Sequence, residues 1–170
     1  TLDRDTALAR QLERERLPDG HRADLIEAIA EGVIFNSTEA ILTSKVNRLV
    51  VLRPKITPKE RTDAIRTVFE FLGSDYDFEF DFFSSDKTVC TWVVYRAYDT
   101  FLRFDLVPVM GRKTLPAIEL VRKFTRERDS GQPELDFVCF LDGDPGAGTA
   151  READEEAFCR SADRPRAFQE

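Results

Sequence analysis

The sequence predicts an α+β fold in which helices pack on one mainly antiparallel sheet. Two observations indicate this class. Residues 57–72 carry the signals of an amphipathic helix, and residues 78–82 alternate Phe with acidic residues, as a half-buried strand does. The chain of 170 residues has the length of one ordinary domain. We expect that domain to cover residues 1–142. A loosely ordered tail, rich in Gly, Ala and acidic residues, would then cover 143–170.

The helix over residues 57–72 has the clearest local signals. Thr57 can cap its N-terminus, Pro58 suits the first helical position, and Glu60 completes a capping box. Gly73 is a typical residue at which such a helix ends. The apolar residues at helical spacing are Ile65, Val68, Phe69 and Leu72.

The remaining elements follow from shorter patterns of the same kind. In chain order they are a solvated helix in 5–16, two strands in 24–36 joined by a turn near Gly32, a short helix in 37–44, a strand over 48–54, a helix over 89–102, a strand-like segment 104–110, a helix over 115–127 and a strand over 135–141.

Composition excludes several function classes. The 32 Asp and Glu residues exceed the 25 Lys and Arg residues, which gives a formal charge of −7 and argues against nucleic acid as a partner. No apolar run reaches the roughly 18 residues of a membrane span. The segment "GDPGAG" at 143–148 lacks the Lys and Ser or Thr of a nucleotide-binding loop. Three dispersed cysteines and one histidine match no metal pattern, so we expect no metal or cofactor, reduced thiols and a cytoplasmic location.

Cys90 is the main candidate for chemistry. It follows the polar turn "SSDKT" and opens the predicted helix 89–102, where the helix N-terminus stabilises a thiolate. The alternative is a buried packing residue, since Cys90 shares a helical stripe with Val94, Ala97 and Phe101. The residues alone leave both interpretations open. Of the other two cysteines, Cys139 is expected in the core, and Cys159 is expected to be incidental in the tail.

Two further side chains are candidates. Glu27 shares a strand face with Leu25 and Ile29, where a carboxylate is costly unless it is paired or reaches water. It either orients a neighbouring base or escapes to solvent at the strand end. Tyr76 opens the Phe-rich strand and either presents its hydroxyl near the helix start or is a boundary aromatic.

The order of three segments resembles a known family. These are "LIEAIAEGVIFN", "LVVLRPK" and "FLGSDYDFEFDFFSSDKTVCTWVVYRAY", and "VMGRKTLPAIELV" fits the same style. Over roughly residues 25–125 the chain is similar to the circularly permuted papain-like cysteine hydrolases of the YiiX/YebB type, which are relatives of NlpC-type amidases. The resemblance implies a permuted papain-like fold, with Cys90 as nucleophile at a helix N-terminus, Glu27 as the acidic member and Tyr76 as the tyrosine of the "YDF" motif.

The resemblance also implies a reaction, in which a thioester forms during cleavage of an amide in a peptide or cell-wall fragment, or of an acyl linkage in a lipid-like substrate. Two positions depart from the family pattern. Trp92 replaces the Glu that the family has two residues after its cysteine, and we expect it to contact substrate. The family histidine has no clear counterpart. His21 lies only six residues before Glu27, so we expect the histidine strand upstream of Thr1, with residues 1–20 as an insertion.

Three functions therefore remain open. The favoured one is a cysteine amidase or peptidase that uses Cys90 and Glu27. The second is a lipid acyl hydrolase or acyltransferase on the same scaffold, whose pocket the side chains of Phe78, Phe80 and Phe82 would line. The third is a catalytically inactive binding module, which the missing histidine and Trp92 suggest.

Overall fold

The structure is a computed structural model that describes residues 7–44, 47–77, 87–109, 111–144 and 146–164. Its helices are α1 (Ala7–Arg14), α2 (Thr38–Thr43), α3 (Pro58–Glu70), α4 (Cys90–Tyr98), α5 (Ala117–Arg128) and α6 (Glu155–Arg160). Its strands are β1 (Leu25–Ile29), β2 (Gly32–Asn36), β3 (Arg48–Pro54), β4 (Asp75–Tyr76), β5 (Lys87–Thr88), β6 (Val107–Val109), β7 (Arg112–Thr114), β8 (Leu135–Asp144) and β9 (Thr149–Ala153). The α+β class is confirmed, and every described strand pair except β4 with β5 is antiparallel.

Helix α3 begins as its sequence predicts. The Thr57 hydroxyl accepts a hydrogen bond from the Glu60 N–H at 3.3 Å, and the Glu60 carboxylate accepts one from the Thr57 N–H at 2.7 Å. Pro58 occupies the first turn. Both predicted halves of the capping box are therefore present, and this satisfies two of the backbone N–H groups that a helix start leaves open.

The chain divides into two compact units, of which the first contains residues 1–43 and 56–116. Its strands form two-stranded sheets, of which the first is the β1–β2 hairpin, where Glu27 pairs with Ile34. The Val33 N–H donates to the Ser74 carbonyl at 2.9 Å, which joins β2 to the segment that enters β4. Strand β4 pairs with β5, and β5 leads into α4. This order brings the end of β4 to the start of α4.

The hairpin has one face that packs on helices of the first unit. Ala28, Val33 and Val93 form a buried cluster, against which Ile26 and Tyr76 pack. Because side chains alternate along a strand, residues 26 and 28 share this face and residue 27 lies on the other. The alternation thus separates the side chain of residue 27 from the face that contacts α4.

The second unit contains residues 44–55 and 117–170. Its sheet has the order β3-β8-β9. Phe158 of α6 is 1 % exposed, and its ring lies 5.4 Å from that of Phe124 and 5.5 Å from that of Phe140. Asp142 accepts two hydrogen bonds from Arg164, and that guanidinium holds the pKa of the carboxyl below its usual value. These contacts make the C-terminal residues part of a packed core.

The expectation of a loosely ordered tail is therefore wrong for the described residues after 142. Strand β9 pairs with β8, Asp154 caps α6, and Cys159 is buried at 7 % exposure rather than incidental. The average composition of the C-terminal segment did not reveal this order, because a single large apolar residue, Phe158, is enough to anchor a short helix. The "GDPGAG" segment includes the β8–β9 turn, where the Asp144 carboxylate accepts from the N–H groups of residues 146 and 147.

Other differences from the sequence predictions are smaller. Helix α4 ends at Tyr98 instead of residue 102, and α5 begins at Ala117. Cys139, expected in the core, is half-buried because it lies on the β8 face opposite the aromatic cluster. The alternating strand over residues 78–82 lies outside the described residues. The interpretation of residues 1–142 as one domain stays a prediction.

Gly32 is a position where only glycine fits. Its φ is +108°, and a Cβ atom there would lie 2.6 Å from the Ser74 carbonyl oxygen. We expect Gly32→Ala to lower the free energy of unfolding by about 2–3 kcal/mol, since the strained φ and the backbone clash both contribute. The matched control is Gly20→Ala, which has a similar φ of +86° and open space around it and should cost only about 1 kcal/mol. If urea unfolding gave the same loss of unfolding free energy for Gly32→Ala and Gly20→Ala, the clash with the Ser74 carbonyl would have no effect.

Candidate active site

Cys90 is the first residue of α4. Val89 precedes it with extended backbone, and the N–H groups of Trp92 and Val93 both donate to the Val89 carbonyl. The N–H groups of Cys90 and Thr91 therefore precede the first hydrogen bond of the helix and point toward its open end. Cys90 is exposed, so the alternative of a buried packing residue is wrong.

Tyr76 lies beside this sulfur. The pKa of Tyr76 is raised, first by burial and then by its neighbour Cys90, both through charge and through a hydrogen bond between the two side chains. Asp77, which is 2 % exposed, contributes in the same direction. The ring of Tyr76 is held in place because it packs on the buried cluster of Ala28, Val33 and Val93. The structure therefore brings together two of the four candidate residues, Cys90 and Tyr76.

Removing the Tyr76 hydroxyl tests this contact. A phenol that donates to a thiolate stabilises the anion, and hydrogen bonds to charged groups are worth about 1.5–3 kcal/mol. We expect Tyr76→Phe to slow alkylation of Cys90 by iodoacetamide at pH 7 by about tenfold, measured by peptide mass spectrometry. Tyr95→Phe is the matched control on α4 and should leave the rate unchanged. Equal rates in wild type and Tyr76→Phe would contradict the contact.

Glu27 is placed differently. Its side chain lies on the hairpin face opposite Ala28, and its carboxylate accepts a hydrogen bond from the Asn36 side-chain amide. The orientation of that amide is fixed, because its oxygen accepts from the Ser37 N–H at 2.8 Å and its nitrogen must then face Glu27. The structure does not bring Glu27 onto the face of the hairpin that packs on α4.

Trp92 also points away from Cys90. Two residues on a helix are about 200° apart around its axis, so the two side chains leave α4 on different sides. The Trp92 ring stacks on Tyr95 at 5.5 Å, and the guanidinium of Arg96 lies 5.5 Å above it. The half-buried indole therefore belongs to an aromatic surface along α4, and the structure does not place it beside the sulfur.

His21 is not positioned as a base for Cys90. Its Nδ1 atom lies 3.1 Å from the Asp19 carboxylate and its Nε2 atom 3.3 Å from the Glu39 carboxylate. Both ring nitrogens are thus occupied, and the imidazole is about half exposed. Within the described ranges, no group of three or more His, Cys, Asp or Glu side chains is arranged to hold a metal ion.

Sequence reasoning missed Asn36 and Glu39. A signal existed for Asn36, because a turn at Gly32 fixes the hairpin register and puts residue 36 diagonally across from Glu27. No comparable signal exists for Glu39, since its contact with His21 depends on how α2 packs beside the turn that precedes β1.

The comparison with protein families decides the identity. Residues 16–131 match the family described as permuted papain-like amidase enzyme, YaeF/YiiX, C92 family. The chain belongs to this family. The match covers most of the first unit and confirms the permuted papain-like fold that the ordered motifs implied. No curated protein and no solved structure matches the chain.

Membership in the amidase family supports a cysteine hydrolase in general and suggests a peptide-like substrate. The link to NlpC-type amidases stays a prediction. Among the helices that the structure describes, none is long and apolar enough to cross a membrane.

Proposed function

We propose that the protein cleaves an amide bond through a thioester on Cys90. The observation that supports this most directly is an exposed sulfur at the first position of α4, in hydrogen-bonding contact with the Tyr76 hydroxyl. A cysteine that is exposed at a helix N-terminus and beside a hydroxyl has the surroundings typical of a nucleophile. The family match supports the same reaction class.

The reaction would proceed in two steps. The Cys90 sulfur attacks the carbonyl carbon, and the C=O electron pair moves onto oxygen, where the N–H groups of Cys90 and Thr91 can stabilise the negative charge. Collapse of this intermediate breaks the C–N bond, and the leaving amine takes up a proton from solvent, which replaces the one that the Cys90 thiol lost to solvent on ionisation. Water then attacks the thioester, releases the carboxylic acid and restores the thiol. In both steps the negative charge on the carbonyl oxygen develops at the open end of α4, where these N–H groups can stabilise it.

Glu27 and Trp92 have more distant roles in this proposal. Glu27 would be the acid that orients a base, and the amide of Asn36 holds its carboxylate in one position. Trp92 would contact a substrate that extends along α4, where Arg96 and Tyr95 form one aromatic and cationic surface with it. Neither residue contacts the sulfur.

The proposed substrate is the amide of a peptide or a cell-wall fragment. The lipid alternative depended on Phe78, Phe80 and Phe82, which lie outside the described residues, so no observation favours it here. All three cysteines are free, which supports the proposal of a reducing, cytoplasmic environment.

A second candidate is an inactive binding module of the same fold. The observation that favours it is the position of His21, the chain's single histidine, whose two ring nitrogens face carboxylates instead of a thiol. In that case the aromatic surface around Trp92 would bind a partner, and Cys90 would have no catalytic role.

Trapping the acyl-enzyme separates these candidates. The protein is incubated with a panel of chromogenic peptidyl amides and long-chain esters, quenched in acid and examined by peptide mass spectrometry. The amidase proposal predicts a peptidyl adduct on Cys90 that hydroxylamine removes. A fatty-acyl adduct on Cys90 would instead indicate a lipid substrate. Absence of any adduct, with no turnover, would favour the binding module.

A further inference from the structure

The sheet of the second unit has two faces with different surroundings. Among the described residues of this unit, α5 and α6 pack on one face, where Phe124 and Phe158 contact the rings of Phe137 and Phe140. The side chains between these positions point to the other face, which we call the outer face. The register of β3 with β8 gives the outer face five apolar residues, which are Leu49, Val51, Val138, Cys139 and Leu141.

The centre of the outer face is open to solvent. Val51 is 42 % exposed and Val138 is 41 % exposed, and they are two of the four large apolar side chains that are exposed in the described part of the chain. The register shift after Val51 makes Val138 the extra residue of a β-bulge, so that Val138 and Cys139 both lie on this face. An apolar centre with a charged rim is typical of an interaction surface.

Two charges without partners lie at opposite corners of the outer face. Arg53 on β3 is opposite Asp136, but the Asp136 carboxylate is paired with Lys55 at 3.1 Å. Glu152 on β9 is opposite Leu141. Within the described ranges neither Arg53 nor Glu152 has an ion pair, and both are exposed. The two positions are about 15 Å apart along the strands and about 10 Å apart across them.

These two charges complement each other when a second copy of the sheet lies face to face with the first. A two-fold axis between the two sheets, at right angles to the line from Arg53 to Glu152, puts Arg53 of each copy over Glu152 of the other. Sheets that pack in this way are about 10 Å apart, a distance that an Arg and a Glu side chain span together. The same axis places the apolar centre on its own copy, as a two-fold interface requires.

We propose that a second copy of this chain docks on the outer face and forms a two-fold symmetric dimer. Strands β8 and β9 lie beyond residues 16–131, which match the amidase family, so most of this surface is separate from the residues that the family shares. The proposal does not depend on the reaction at Cys90. Three short strands give a small interface, so we expect a reversible dimer with a dissociation constant of roughly 10–100 μM.

Sedimentation velocity of the full chain, over about 5–500 μM protein, measures this equilibrium. Val138→Asp puts a charge into the apolar centre and should weaken dimerisation at least about tenfold. The matched control is Val109→Asp, since Val109 is 43 % exposed on β6 of the first unit, and it should dimerise as the wild type does. Alkylation of Cys139 should also slow as the protein concentration rises, while alkylation of Cys90 should not change.

A charge exchange tests the two-fold arrangement itself. Arg53→Glu and Glu152→Arg each put like charges opposite each other at both symmetry-related contacts, so each should weaken dimerisation by roughly tenfold. The double variant restores opposite charges and should dimerise nearly as the wild type does. Urea unfolding of each variant checks that it is folded. A wild-type protein that stays monomeric over the whole range, a dimer that Val138→Asp does not weaken, or a double variant without recovery would overturn the proposal.

Discussion

Replacing Cys90 with alanine is expected to lower turnover of the best peptidyl amide by roughly 10⁶-fold, the scale on which enzymes lose activity without their nucleophile. The reason is specific to the first position of α4. The sulfur there is exposed, has the Tyr76 hydroxyl as a partner and lies beside N–H groups that precede the first hydrogen bond of the helix. No other described cysteine combines these features. The measurement is steady-state hydrolysis with the best substrate of the chromogenic panel.

The control is Cys139→Ala. Cys139 lies on β8 in the second unit and has no role in the proposed reaction, so its loss should leave turnover unchanged. In urea unfolding, Cys90→Ala should have nearly the same free energy of unfolding as the wild type, because an exposed thiol contributes little to packing. A Cys90→Ala protein that keeps most of its turnover would contradict the assignment of the nucleophile.

Replacing Lys123 with methionine is expected to cost about 3–5 kcal/mol of folding free energy. The Lys123 side chain is only 3 % exposed, and its ammonium lies 2.6 Å from the carboxylates of Glu127 and Glu134. Removing the ammonium leaves two largely buried carboxylates without their shared cation. One Glu127 oxygen is already buried without a hydrogen-bond partner among the described atoms, so the site has little capacity to adapt.

An exposed pair on α3 provides the comparison. Lys59 and Asp63 lie 2.8 Å apart, but the Lys59 side chain is 87 % exposed, so Lys59→Met should cost less than about 1 kcal/mol. Adding Glu127→Gln and Glu134→Gln to Lys123→Met should recover much of the loss, because the unpaired charges are then gone. If urea unfolding gave similar losses for Lys123→Met and Lys59→Met, the buried ion pairs would be unimportant for stability.

Features of the fold that depend on neighbouring residues were predictable from the sequence. The capping box of Thr57 and Glu60 fixes the start of α3 locally. Gly32 marks the hairpin turn because the chain there has positive φ. In each case the signal and the structure it specifies lie within a few residues of each other.

Features that depend on packing were not predictable. The alternation of β1 shows that Glu27 shares a face with Leu25 and Ile29, but it does not show that the opposite face packs on α4. Phe158 was overlooked because its surroundings are polar, although its ring contacts three other phenylalanines. The His21–Glu39 contact joins residues from two elements, and no local pattern records such a pair.

The rate of Cys90 alkylation is the measurement that tests the central claim most directly. Iodoacetamide is added to the wild-type protein at pH 7, and the modification of each cysteine is followed by peptide mass spectrometry, with free cysteine measured alongside. A thiolate stabilised by the N-terminus of α4 and by Tyr76 predicts that Cys90 reacts at least about tenfold faster than free cysteine. Half-buried Cys139 should react more slowly than either. A Cys90 that reacts no faster than free cysteine would contradict the proposed nucleophile.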